Sequence, residues 1–173
     1  MMRRSAVLAL LVLLPALTHD LVGQRLAPPE SSSVAVEAVA IPVAAKIGKK
    51  SYQATGNGSC RHAPDASIRD VSASLWIVQY ASEREAGLRQ LSLTLWRPKD
   101  GTPDRLSLSL ETSAGSHQIQ TGQEGKNAGE GAVTILPSGP GGRLEITGKD
   151  AGGKALQVTI DCPAFAGVEA EGG

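Results

Sequence analysis

Leu91-Ser92-Leu93-Thr94-Leu95-Trp96 and Leu106-Ser107-Leu108-Ser109-Leu110-Glu111 each alternate an apolar with a polar residue without a break. Successive side chains of a strand point to opposite sides of its sheet, so a period of two describes a strand with one buried and one wet face. The same phase returns in Leu144 and Ile146 against Glu145 and Thr147, and in Leu156, Val158 and Ile160 against Gln157, Thr159 and Asp161. One-sided alternation belongs to antiparallel sheets, because strands of parallel sheets are usually apolar on both faces. Between the runs, Lys99-Asp100-Gly101, Ala114-Gly115, Pro140-Gly141-Gly142 and Asp150-Ala151-Gly152-Gly153 supply residues that tolerate positive φ in short hairpin connections. About seven or eight strands predict an all-β fold, an antiparallel two-sheet sandwich with a small β-barrel as the alternative.

Ser72 to Tyr80 departs from the alternation. Leu75, Trp76, Ile77 and Val78 are apolar in succession, which places this strand centrally with both faces covered. Ser82 and Glu85 stand as in a capping box, but Gly87 leaves room for no more than one helical turn. Gly56-Asn57-Gly58 superficially resembles a phosphate-binding loop, yet no helix pattern follows, and Asn57-Gly58 reads as a tight turn. Asn57-Gly58-Ser59 also matches the N-glycosylation sequon, which matters only in a eukaryotic secretory pathway.

Arg3 and Arg4 precede an apolar run from Ser5 to Leu17, and the polar residues Thr18, His19 and Asp20 follow it. That is the order of a secretory signal peptide, assigned to residues 1–23. The run falls short of the roughly 20 apolar residues a spanning helix needs, so no stable membrane span is expected once the signal is cleaved. Residues 24–50, opened by Pro28, Pro29, Ser31, Ser32 and Ser33 and interrupted by Pro42, read as a disordered Ala/Pro/Ser-rich tether. A strand within Val43 to Lys50 would lengthen the domain at its N-terminal edge. Residues 51–173 are then the β domain of a secreted or periplasmic protein.

Cys60 and Cys162 are the only two cysteines, and in an oxidising compartment two thiols of one small domain usually pair. Cys162 continues the inward phase of Leu156, Val158 and Ile160, and Cys60 shares its parity with Tyr52 and Ala54. A buried disulfide between the first and last strands is expected. Without residues 1–23 the chain loses two of seventeen basic and one of seventeen acidic residues, leaving fifteen against sixteen. Such a balance does not favour phosphate-driven binding, so no nucleic acid partner is expected. Aromatic residues are few, and the core must come mainly from Leu, Ile, Val and Ala.

No catalytic or cofactor signature stands out, and neither an enzyme nor a cofactor is expected. No serine stands in G-x-S-x-G or S-x-x-K, and Glu83 and Glu85 fall in a charged loop. Cys60, His62 and Asp65 bring a thiolate, an imidazole and a carboxylate close in sequence, and His62 with His117 defines a weak metal alternative. A disulfide would consume Cys60, which leaves a tetrahedral site short of ligands; a loop histidine beside a structural cystine is the simpler account. The outward phase carries Ser92, Thr94, Trp96, Ser107, Ser109, Gln118, Gln120, Thr134 and Thr159, an uncharged hydroxyl and amide surface with one large aromatic. Trp96, with Thr94 and Arg97 beside it, is the candidate ligand-binding group, suited to stacking on a sugar or peptide. The function expected is that of an exported, non-enzymatic β domain binding a partner protein, envelope component or glycan. A metal-handling periplasmic protein and a structural subunit that assembles through its edge strands are the alternatives.

Overall fold

The computed structural model describes residues 38–82, 87–122 and 128–168. The segment read as a signal peptide, the tether up to residue 37, and Glu83 and Glu85 lie outside these residues. Ten strands and no helix are described: β1 (Val39–Ile47), β2 (Lys50–Ile68), β3 (Val71–Ala81), β4 (Leu88–Pro98), β5 (Arg105–Thr112), β6 (Gly115–Gln120), β7 (Glu130–Ser138), β8 (Gly141–Lys149), β9 (Ala155–Cys162) and β10 (Ala166–Gly167). Nine of them form one antiparallel sheet in the order β6-β5-β4-β3-β2-β1-β9-β8-β7, and β10 pairs in parallel with β2 at Arg61 and His62. The sheet curls into a half-barrel, and its inner face is the core.

The inward phase of each strand continues across the ladders. Val78, Leu93, Leu108 and Ile119 stand opposite one another on β3 to β6. Ile146, Val158 and Ala45 do the same on β8, β9 and β1. A polar outer surface over an apolar interior is the reverse of a membrane-spanning barrel, whose lipid face must be apolar.

β1 lies within the segment read as a tether, and it occupies the middle of the sheet between β2 and β9. Ile41, Val43, Ala45 and Ile47 alternate and are buried. Pro42 disguised this strand, but the ladder with β9 begins one residue later at Val43 and Ile160, so the proline stands at the end of that pairing. A second correction concerns Asn57-Gly58, which is no turn: both residues lie inside the 19-residue β2. Gly58 is needed there for close packing, because a Cβ would press on the Gln79 carbonyl oxygen and come within 2.8 Å of Ile41 Cδ1. A Cβ at Gly56 would likewise press on the Ala81 carbonyl oxygen and come within 2.7 Å of Tyr80 Cε2.

Cys60 and Cys162 form a disulfide with Cα atoms 6.0 Å apart, and both are buried. It joins the second and ninth strands, not the first and last, because β1 precedes and β10 follows the strands expected from sequence. Since β1 separates β2 from β9 in the sheet, the bond is a clamp across the curl. Just beyond it, the Phe165 N–H donates to the Pro140 carbonyl at 2.9 Å and the chain returns to β2 as β10.

The two edges, β6 and β7, approach at one corner. Gln120 and Ala128 exchange backbone hydrogen bonds of 2.7 and 2.9 Å, and Gly131 lies against Ile119 and Leu106. The β2–β3 turn is made without glycine, with Arg69 at φ 49° and Asp70 at φ 65°. Left-handed backbone costs a residue with a Cβ about 1–2 kcal/mol. Replacing Arg69 with Asn and Asp70 with Gly is expected to raise unfolding stability by about 1 kcal/mol; an unchanged denaturation midpoint would show that the turn carries no strain. Replacing both cysteines with Ala is expected to lower stability by about 4 kcal/mol in urea unfolding, since the bond closes a loop of 102 residues.

Candidate functional site

Once the apolar face is turned inward, side chains of the opposite phase on β2 to β6 come together outside. The ladders align Ser59, Gln79, Ser92, Ser109 and Gln118 in one row across five strands. The Gln79 side-chain amide donates to Ser92 Oγ at 3.0 Å, so the row is ordered by its own hydrogen bonding. On one side runs Arg61, Ile77, Thr94, Ser107 and Gln120; on the other, Asn57, Ala81, Gln90, Glu111 and Ser116. An open groove of about 500 Å³ lies over the central row and takes in Asn57, Arg61, Gln90 and Glu111. Glu111 faces Arg89 at 3.9 Å, with both side chains exposed.

Thr94 and Trp96 share this outer face, and both are half-buried. Trp96 stands opposite Leu75 of β3 and Arg105 of β5, beyond the groove toward the β4–β5 turn. Leu75 is itself 6 % exposed although it points outward, next to the inward Trp76. The adjacent buried pair accounts for the continuous apolar run in this strand.

Arg97 is not part of this surface. It continues the inward phase of Leu91, Leu93 and Leu95, and its guanidinium forms a two-point ion pair with Asp104 at 3.0 and 2.8 Å. The same group donates to the Val133 carbonyl at 3.0 Å and lies 5.6 Å from the centre of the Trp76 ring. It ties β4 to β7 at the corner where the sheet edges meet. Its charge and donors are spent on the fold.

The two histidines are also separated. His62 stacks on Trp76 with ring centres 4.5 Å apart and meets Phe165 edge-on at 6.0 Å. Burial pushes its imidazole below the ordinary histidine range. His117 is buried on β6, with Nδ1 2.7 Å from Asp150 Oδ2. Cys60 is held in the disulfide, and Asp65 bonds Lys99 at 2.6 Å, an interaction that keeps its carboxyl below the usual range. Among the described residues no group of three His, Cys, Asp or Glu side chains could hold a metal ion.

Two further depressions, of about 470 and 430 Å³, flank Pro42 where β9 leaves β1. The charged residues lining them, Asp161 and Arg143, already bond each other, Nε donating to the carboxylate at 2.6 Å. The groove on β2 to β6 is therefore the better candidate. Ser92, Ser109 and Gln118 of its central row were legible as outward positions, whereas Gln79 was hidden by reading β3 as buried on both faces. Arg61 was missed, although it follows the inward Cys60 and so must point outward.

No family model, no curated protein and no solved structure matches this chain.

Asp150 closes the same corner as Arg97. Burial opposes its charge, but the bond with His117 and the backbone N–H groups of Lys154 and Gly152, at 2.8 and 3.0 Å, outweigh that cost and hold its carboxyl below the ordinary range. A lowered folded-state value means that this group stabilises the fold above about pH 4 and that the contribution fades as pH falls through the folded-state value. Asp150→Asn is expected to lower the melting temperature at pH 7 and to flatten its decline below pH 4, measured by circular dichroism. Identical pH profiles for the two proteins would contradict this role.

Proposed function

We propose that the chain is an exported, non-enzymatic binding domain that takes a glycan or another hydroxyl-rich component of the cell envelope on the outer face of β2 to β6. The observation that carries this reading is the row Ser59, Gln79, Ser92, Ser109 and Gln118, roofed by an open groove. Hydroxyl and amide side chains both donate and accept, which suits a ligand whose surface is itself hydroxyl groups. Trp96, on the same face, adds a ring for stacking against the apolar side of a sugar. The ligand face is the part of the half-barrel's outer side formed by β2 to β6. Export is supported by the Cys60–Cys162 disulfide, which is stable in oxidising compartments, and by the signal-like order of the N-terminal residues.

Ser92 and Trp96 are four residues apart on β4, about 13 Å along the strand, so a ligand that reaches both must be several sugars long. Calorimetric titration with neutral cello-, malto- and xylo-oligosaccharides is expected to find a ligand whose affinity grows with chain length. Gln79→Ala with Ser92→Ala should weaken that ligand about tenfold, as expected for two lost hydrogen bonds, with the melting temperature kept. Trp96→Ala should weaken long chains and leave short ones unaffected. Absence of binding across the series, or binding indifferent to these replacements, would overturn the reading.

A further inference from the structure

We propose that the ligand carries a carboxylate, as a uronic acid sugar does, and that Arg61 holds it. This rests on reading the groove as a glycan site. Arg89 faces Glu111, Arg97 pairs with Asp104 and Arg143 with Asp161, whereas Arg69 and Arg105, which do not line the groove, have no ion pair among the described residues. Arg61 has no hydrogen bond and no ion pair among the described residues, and its Nε is buried with no acceptor. A guanidinium left without an acceptor is costly, and a carboxylate is the group whose two oxygens match its two terminal nitrogens together. The β10 strand pairs with β2 at this residue, Ala166 standing opposite Arg61, which fixes the backbone from which the side chain rises.

The groove also limits how much negative charge fits. Ser59, Gln79, Ser92 and Ser109 separate Arg61 from Glu111, which lines the far side of the same groove. A uniformly acidic polymer would set a second carboxylate against Glu111, and like charges repel. The fitting ligand is a mostly neutral sugar chain with one acidic residue at the β2 side. Recognition then combines one charge-assisted contact with a row of neutral ones.

The test compares a xylo-oligosaccharide bearing one glucuronate with the same chain lacking it, titrated into the full protein at low salt. The wild type is expected to bind the acidic chain at least tenfold more tightly and to lose much of that preference when salt is raised. Arg61→Gln should reduce the preference to less than twofold, Arg61→Lys should restore part of it, and Arg143→Gln should leave it intact. Equal affinity of the wild type for the two chains, or a preference retained in Arg61→Gln, overturns this inference and leaves the glycan reading standing. Binding of neither chain counts against both.

Discussion

A sheet with one apolar face and, among the described residues, no covering helix has to cover that face with itself. Nine strands share one inward phase, interrupted by irregularities between Ala63 and Ala66 and between Leu88 and Gln90, so the inward residues from Ile41 to Ile160 lie on the same side of one surface. Removing that side from water is what curls the sheet, at roughly 25 cal/mol for each Å² of apolar area buried. The remaining features follow from where the curl is held. The disulfide and β10 fasten β9 and its continuation to β2, and Arg97, Gln120 and Asp150 fasten the corner near β6 and β7.

The same constraint sorts the polar residues. Those with inward phase are engaged in the fold: Arg97 with Asp104 and Val133, His117 with Asp150, His62 against Trp76 and Phe165. Outward residues on β2 to β6 form the groove, with Gln79 exposed and Ser59 buried in its central row. A phase difference of one residue separates Trp96, which faces out, from Arg97, which closes the fold. Two neighbours in sequence thus belong to different parts of the molecule.

Much of this was written in the alternation. The Leu-Ser runs of β4 and β5, the inward Cys162 and the polar outer surface all follow from a period of two and are present as expected. The inward direction of Arg97 was equally available from Leu91, Leu93 and Leu95, but reading it as a companion of Trp96 by proximity gave the wrong face. β1 was harder to see, because Pro42 is a strand breaker wherever its N–H is needed and alanines blur the contrast between faces. Asn57-Gly58 and Arg69-Asp70 invert the usual turn rule. The glycine-bearing pair lies inside a strand where backbone and side chains press close, and the pair without glycine makes the turn. Local propensity yields to packing in both places.

In the proposed division of labour, the fold keeps its inner face for stability and its β2 to β6 outer face for recognition. Chemical-shift mapping on isotope-labelled protein, titrated with a neutral oligosaccharide that it binds, tests this most directly. The shifted amides are expected to cluster on Ser59, Gln79, Ser92, Ser109 and Gln118 and to extend toward Thr94 and Trp96 as the chain lengthens. Shifts centred on the outer face of β7 to β9, or on inward residues such as His62 and Trp76, would contradict it.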